Sequence, residues 1–573
     1  MEMTLVPGYG ELFGKGGRPY EEWLQGIASE VVINLFIALN NELNTTEPEK
    51  VQQARLRAIV SERFTNQQIE ALNNVYGAFF QRMPEYRDHV FGRMYILNLL
   101  VREFKRNEQG ENFNTTPDQE FRIFMAYLQV VDEINTNIAK AWEDIFKPGT
   151  NEYQIIWPAF MDQYMFNHQA DSLFELLKLL CFCKYSYDHL RASLKEYINL
   201  LGFENMGQFA NSHKQLLEST LKTSPDKLFQ KLNFIQPLSG TDTSHLTAQS
   251  INPLLGNPKL TLPDIRKFPL YKNYDQLYMI IDEDSYRKKV YRGPFFDIFH
   301  TTQLKNSKDF NQHCLDISKG TMEEMVFRSI CSFLTKTKHE VLHFDDNSLS
   351  QPDAYHRKNK TVMMIEYKDY IFKESIVNSH DFNEIKTYID EKFVKTPKEK
   401  PKGITQLANQ IELLYNGKYS FDKEVNDYFR KGKCITIYPV IAYSDFMFSV
   451  PGVNKYLDEL LKQQLAATNY KNLNIKPVTL VNIEIFYDYC LRHGSFAGFT
   501  DLVDRYREII RNRLRKFEKE ASVNNFLSAR SSFDEVYQSI LLEHLLKNKP
   551  DSSIVNFMTN NIGLTQEVLD ETL

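Results

Sequence analysis

The stretch QPDAYHRKNKTVMMIEYK, residues 351–368, decides the fold of the C-terminal half of this chain. Its second part is an apolar run that ends in Glu366, Tyr367 and Lys368, which is typical of a buried strand. Glu366 and Lys368 lie two residues apart, so on a strand their side chains point to the same face. Asp353 follows a proline, which lacks a backbone donor and often marks the start of a strand. The twelve residues between Asp353 and Glu366 leave room for a turn back to a neighbouring strand.

Two carboxylates that converge at a strand end predict a site for a hard divalent cation. Mg²⁺ prefers oxygen ligands, usually one or two carboxylates together with water and substrate phosphate. We therefore predict that Asp353 and Glu366 bind Mg²⁺, with Mn²⁺ as a substitute. Lys368 beside them is placed to stabilise charge on a phosphate or to orient an attacking water. Of the five Pro-Asp pairs in the chain, only this one is followed by an apolar strand that ends in Glu-x-Lys.

This pattern resembles the metal-binding core of the PD-(D/E)xK phosphodiesterase superfamily, whose members have a restriction-endonuclease-like fold. The segment GTMEE, residues 320–324, is similar to the GxxxE motif of the RecB-like branch of that superfamily. The resemblance implies that Glu324 is a third catalytic and metal-binding acid on a helix upstream of the strands. Glu323 is the alternative, because both glutamates lie beside the same apolar stripe.

The resemblance continues downstream, over about residues 315–445 in all. The amphipathic segment GITQLANQIELLY, residues 403–415, has the place of the helix that follows the catalytic strand, which implies that Gln406 reaches the site. The QxxxY motif of the RecB-like branch would need a tyrosine four residues later, but this chain has Gln410 there. The segment KCITIYPVIAYSD, residues 433–445, is predicted to be the next core strand.

The resemblance implies a metal-dependent nuclease that hydrolyses phosphodiester bonds of nucleic acid, with DNA favoured over RNA. A helical module before a terminal nuclease also resembles the layout of bacterial antiphage defence and restriction systems, which implies the effector of such a system. The alternative is a non-catalytic protein on the same fold that binds nucleic acid or a protein partner. The net charge of -6, from 68 basic and 74 acidic residues, excludes a globally basic nucleic-acid binder but not a local basic groove.

The chain of 573 residues is predicted to be multidomain, with α and α/β parts. Residues 1–235 carry apolar residues at helical spacing, which predicts an all-helical module that regulates the enzyme or binds a partner or activator. Residues 236–300 predict a connector, rich at first in proline, serine and threonine, with a short hairpin. Residues 301–573 alternate helical and strand-like patterns and are predicted to be the restriction-endonuclease-like α/β domain with a central mixed sheet.

Basic residues flank the predicted metal site and are candidates for contacts with nucleic-acid phosphates. Phosphate contacts dominate the affinity of proteins for nucleic acid. One group lies between the two motifs, and a second group lies in the proline-bounded segment KTPKEKPKG. We expect nucleic acid to lie along these two loops, which carry Arg357, Lys358, Lys360, Lys398, Lys400 and Lys402.

A rival motif, HEVLH, lies at residues 339–343 and is a literal HExxH. A zinc protease would need both histidines on one face of a helix, with the glutamate as general base. The run is short and ends in two aspartates, so we expect it to be the first strand of the nuclease core instead.

The spacing of the cysteines and the lengths of the apolar runs indicate in which cellular compartment the protein is found. The six cysteines show no CxxC spacing, which predicts free thiols in a reducing cytoplasm. The longest early apolar run, VVINLFIAL, has nine residues, whereas a bilayer span needs about 20. We therefore expect a cytoplasmic protein without a membrane segment. The sequence leaves its oligomeric state open.

Overall fold

The computed structural model describes residues 6–14, 17–43, 49–83, 89–110, 114–145, 147, 149–165, 171–221, 234–235, 249–345, 351–492, 494–544 and 553–571. The N-terminal half is helical, as predicted. The helices begin where capping groups are available: the Thr65 side chain accepts from Gln68 N, and the Asp171 side chain accepts from Phe174 N. The helices of this half are α1 (Tyr9–Phe13), α2 (Tyr20–Trp23), α3 (Ser29–Glu42), α4 (Glu49–Ser61), α5 (Asn66–Arg82), α6 (Arg93–Arg106), α7 (Pro117–Ile145), α8 (Glu152–Met165), α9 (Ser172–His189), α10 (Arg191–Leu200) and α11 (Met206–Leu221).

A small antiparallel sheet and a long helix follow in the connector, of which residues 236–248 lie outside the described residues. Strands β2 (Leu270–Lys272) and β3 (Tyr278–Ile280) pair as a hairpin, and β1 (Phe234–Ile235) pairs with the other edge of β3. Helix α12 (Leu262–Lys267) precedes the hairpin, and α13 (Glu283–Thr301) follows it.

The C-terminal half contains a mixed sheet of six strands, surrounded by helices. The strands are β4 (Glu340–Phe344), β5 (Ala354–Lys358), β6 (Thr361–Lys368), β7 (Ile435–Tyr443), β8 (Leu473–Ile475) and β9 (Thr479–Asn482). The helices are α14 (Leu304–Ser307), α15 (Phe310–Ser318), α16 (Arg328–Leu334), α17 (Glu374–Ser379), α18 (Phe382–Phe393), α19 (Gly403–Tyr415), α20 (Lys423–Arg430), α21 (Val453–Leu465), α22 (Ile483–Arg492), α23 (Phe496–Lys519), α24 (Val523–Ser528), α25 (Phe533–His544), α26 (Ser553–Ile562) and α27 (Gln566–Asp570).

The order of the strands in this sheet is β4, β5, β6, β7 and β8. The first three strands are antiparallel neighbours, and β7 runs parallel to β6. On its other side β7 pairs first with β8 and then with β9, both in parallel. Pro439, which cannot donate a ladder hydrogen bond, lies between these two pairings.

Helices cover both faces of the sheet, so β6 is buried along nearly its whole length. One face of β6 packs in a core cluster with α19, through residues such as Met364 and Leu407. The opposite face packs in a second cluster, where the Tyr367 ring stacks on Phe327 with their centroids 5.0 Å apart. Phe327 is the last residue of a π-helical segment, Lys319–Phe327, that connects α15 to α16.

The two core clusters each contain residues from both halves of the chain. The cluster that holds Met364 also holds Phe36 and Leu100 of the helical half. The cluster that holds Tyr367 also holds Phe174 and Phe182. The domain boundary at residue 235 stays a prediction, and each cluster holds residues from both sides of it.

Two further observations concern the cysteines and the membrane. All six cysteines are free thiols, and Cys181 and Cys183 are buried. In the described ranges, none of the helices combines the length and apolar character needed to cross a bilayer.

Candidate active site

The candidate site lies where β6 ends and β5 begins. The pairing of Ala354 with Ile365, continued by one residue, brings Asp353 opposite Glu366. The Tyr367 backbone N–H donates to Asp353 Oδ2 at 2.6 Å, which fixes the aspartate against the end of β6. The structure therefore brings the two predicted carboxylates to one point on adjacent strands.

Lys368 lies between these two carboxylates. Its Nζ donates to Glu366 Oε2 at 2.6 Å and to Asp353 Oδ2 at 3.4 Å. The Glu366 side chain is fully buried, whereas 20% of the Asp353 side chain is exposed. The group is therefore open to solvent on the side of the aspartate.

Burial and mutual repulsion determine the protonation of this group. Burial, and then the neighbouring Asp353 charge, raise the pKa of Glu366 to about 7, although Lys368 and Gln410 act in the opposite direction. Burial alone would lower the pKa of Lys368, but the two carboxylates outweigh it and hold this pKa above its ordinary value. Two acids and one ammonium leave an excess of negative charge that a divalent cation would compensate.

Gln410 on α19 is the second contact of Glu366, and the sequence did not identify it as a site residue. Its Nε2 donates to Glu366 Oε1 at 2.5 Å. Gln406, the residue predicted to reach the site, lies one turn earlier, and its buried Oε1 has no partner among the described residues. The signal for Gln410 was its spacing of four from Gln406, which places both on one helix face.

The π-helical segment presents Glu323 towards the site, whereas Glu324 faces elsewhere. Burial, followed by the charge of Asp353, raises the pKa of Glu323. Glu324 is exposed, and its charge acts on Tyr185 of α9. Of the two glutamates that the sequence left open, Glu323 is therefore the one near Asp353.

Two carboxylates at one point fit the donor set that Mg²⁺ takes in proteins, namely one or two carboxylates completed by water and phosphate. Asp353 and Glu366 would hold such an ion. Across the residues with defined positions, no three His, Cys, Asp or Glu side chains are close enough together to form an all-protein metal cage.

Arg357 does not have the position that the sequence predicts for a phosphate contact. Its side chain is 2% exposed, because β5 is covered on both faces. Its guanidinium donates to Asp422 Oδ2 at 2.5 Å and to Glu424 Oε2 at 2.9 Å. These ion pairs make Arg357 a structural residue of the sheet and remove it from the predicted nucleic-acid contacts.

The remaining basic residues of the prediction lie at or near the surface. Lys358 pairs with Glu340 at 2.9 Å, and Lys360 is exposed in the turn between β5 and β6. The loop before α19 is closed by a bridge between Lys395 and Pro401. Its exposed tip, Lys398 and Lys400, and the half-buried Lys402 lead directly into the helix that carries Gln410.

The HExxH motif does not have the geometry of a zinc protease. His339 lies in a turn and His343 on strand β4, so the two histidines do not share a helix face. Glu340 Oε2 lies 3.3 Å from His356 Nε2, and the His343 ring stacks on Phe421 with their centroids 3.9 Å apart. The motif is part of the packing of the first core strand.

Comparisons with protein-family models, with curated proteins and with solved structures find no match to this chain.

Proposed function

We propose that this chain is a Mg²⁺-dependent nuclease that hydrolyses phosphodiester bonds of nucleic acid, with DNA favoured over RNA. The observation that carries the proposal is the convergence of Asp353 and Glu366 on Lys368, whose ammonium lies within hydrogen-bond distance of both carboxylates at a buried strand end. An apolar strand gains little stability from such a buried group of charges, so a chemical role accounts for it better.

The arrangement of elements supports a restriction-endonuclease-like fold for the C-terminal half. A helical segment, three antiparallel strands, the four helices α17–α20 and a parallel strand follow one another, with the acids at the end of β6 and just before β5. This is the order that the resemblance to the PD-(D/E)xK superfamily implies. Glu323, and not Glu324, takes the place of the helical acid in this proposal.

Each residue of the site has a distinct task in the proposed reaction. Asp353 and Glu366 would hold a Mg²⁺ ion, which would supply the charge that polarises a phosphodiester and activates water. Asp353 is held for this purpose by Tyr367 N, and Glu366 is held by Gln410. The Lys368 ammonium has three donors, of which two are used on the carboxylates, so one remains for a phosphate oxygen or the attacking water.

The test is cleavage of plasmid DNA, single-stranded DNA and RNA by the purified full chain, with Mg²⁺, with Mn²⁺ and with EDTA. We expect cleavage only with a divalent ion. Asp353→Asn, Glu366→Gln and Lys368→Met should each lower the rate by at least about 100-fold, the usual effect of removing one electrostatic contact of a transition state.

Glu323 and Glu324 provide a matched pair for this assay, because they are neighbours of identical chemistry. Glu323→Gln should slow cleavage, whereas Glu324→Gln should cut as fast as the unaltered chain. Metal-dependent cleavage that survives Asp353→Asn would refute the proposed site. Absence of cleavage on all three substrates would favour the non-catalytic alternative.

A further inference from the structure

A cavity of about 480 Å³ lies beyond the ends of β6 and β7. Its walls are formed by α9, α12, α13, the chain that follows β6 and the turn that follows β7. This volume is typical of sites for small ligands and cofactors, which span roughly 300–1,000 Å³. None of the residues proposed above for the cleavage of phosphodiesters lines it.

Among the described residues, six lysine and arginine side chains line this cavity, and two of these have a carboxylate partner at contact distance. Lys178 pairs with Glu175 at 2.5 Å, and Arg266 pairs with Asp445 at 3.0 Å. Within the described part of the chain, no carboxylate oxygen lies within 4.0 Å of the charged nitrogen atoms of the other four cations. These four are Lys267, Lys288, Lys289 and Arg292.

Holding these four cations close together is unfavourable in the empty cavity. Burial, and then the neighbouring Arg266 charge, lower the pKa of Lys288, and burial also lowers the pKa of Lys289. The lining also holds the carboxylates of Asp297, Glu374 and Glu484, and burial raises their pKa values, that of Glu484 to about 7. In the described lining the six cations still outnumber the five carboxylates. The cavity therefore favours an anionic occupant.

The rest of the lining is suited to a planar, less polar group. The phenylalanine side chains of Phe268, Phe296 and Phe372 line the cavity beside the cations. A phosphorylated nucleotide combines both chemistries, since it carries a polyanion at one end and an aromatic base at the other. Aromatic side chains stack on any base, whatever its sequence identity.

We propose that this cavity binds a phosphorylated nucleotide, with its phosphate groups on Lys288, Lys289 and Arg292 and its base against the phenylalanine side chains. The nucleotide has two chemical sources, a free nucleoside polyphosphate or the phosphorylated end of a nucleic-acid strand. Both sources present the same groups to the cavity. Binding does not depend on the proposed nuclease activity.

The cavity lies close to the proposed active site. Ser444 lines the cavity, and its hydroxyl donates to Asp369 and lies 3.0 Å from the Tyr367 hydroxyl. Tyr367 is the residue whose backbone N–H holds Asp353. The cavity and the acidic site therefore share one end of the sheet and are linked through Tyr367, whose hydroxyl lies near Ser444 and whose backbone N–H binds Asp353.

The test is a calorimetric titration of the full chain in EDTA, which prevents metal-dependent cleavage. The probes are ATP, ADP and a short oligodeoxynucleotide with a 5′ phosphate, compared with the same oligonucleotide without it. We expect ATP or the 5′-phosphorylated strand to bind, and Arg292→Gln and Lys289→Gln each to weaken this binding about tenfold or more, since each removes a charge-assisted contact. Lys431→Gln, at an exposed lysine outside the cavity, is the matched control and should bind as the unaltered chain does.

The probe that binds identifies the source: ATP or ADP points to a free nucleotide, and a requirement for the 5′ phosphate points to a strand end. Lys288→Met separates a ligand site from a structural role. It should weaken binding and leave the melting temperature equal or higher, because the unfavourable charge is gone. Absence of binding by all probes up to about 1 mM, or equal binding by the cavity variants and the control, would overturn the proposal.

Discussion

Lys368→Met should destabilise the chain strongly in the absence of metal, and the structure gives the size of the effect. The Lys368 side chain is 8% exposed, and its Nζ lies 2.6 Å from an oxygen of the fully buried Glu366. The pKa of Glu366 is about 7, so above that pH removing its cation leaves an uncompensated buried charge, which costs about 3–5 kcal/mol. We therefore expect the free energy of unfolding to fall by about that amount in EDTA.

A divalent ion should reduce this loss, because it replaces the missing positive charge between Glu366 and Asp353. Binding to the native state stabilises it by mass action, so Mg²⁺ or Mn²⁺ should raise the stability of Lys368→Met. The assay is urea denaturation with EDTA and with increasing Mg²⁺, and Lys360→Met, at an exposed turn lysine, is the control. A loss below about 1 kcal/mol in EDTA, close to the effect of ordinary surface substitutions, would refute this account of the site.

Three other perturbations test the rest of the structure. Arg357→Met leaves the buried Asp422 unpaired and should lower the free energy of unfolding by about 3–5 kcal/mol in urea denaturation, without changing the salt dependence of nucleic-acid binding. Lys398, Lys400 and Lys402 of the loop before α19 are replaced together by alanine. The slope of log affinity for nucleic acid against log salt concentration, measured from about 50 to 200 mM salt, should fall by about 0.7–0.9 for each phosphate that the loop binds. An unaltered slope would show that the loop touches no phosphate. Burial raises the pKa of Asp534 from its ordinary 3.8 to about 6. The native state therefore binds this proton more tightly than the unfolded state does. The stability that the bound proton contributes is lost as the pH rises from about 4 through 6. The melting temperature of Asp534→Asn should therefore change less with pH over that range than that of the unaltered chain. Glu518→Gln, at an exposed residue, should keep the pH dependence of the unaltered chain.

The parts of the fold that the sequence predicted are those with strong periodic patterns. The segment 403–415 is helical over the predicted residues, and the apolar runs at 361–368 and 433–445 are strands of the sheet. The meeting of Asp353 and Glu366 also followed from local rules, because strand alternation and a short turn fix it. These features depend on neighbours within about 15 residues along the chain.

The features that the sequence missed depend on distant partners or on helix phase. Arg357 looks like a loop cation because its partner Asp422 is 65 residues away in the sequence. Glu323 and Glu324 are neighbours, and the π-helical segment shifts the phase of the helix, so an α-helical pattern cannot decide between them. The contact of Gln410 with Glu366 likewise needs the tertiary packing of α19 on β6.

The sharing of both cores between the two halves has a consequence for how the protein is made. Glu152 of the helical half pairs with Arg530, which follows it by 378 residues. At a synthesis rate of about 5–20 residues per second, that partner leaves the ribosome roughly 20–75 s after Glu152 does. For much of that time the apolar surface of α8 lacks its partners, because Trp157 packs on Phe382 and Tyr456 in the finished molecule. Production of this protein should therefore depend on chaperones that bind nascent chains, and fast synthesis at high temperature should favour aggregation.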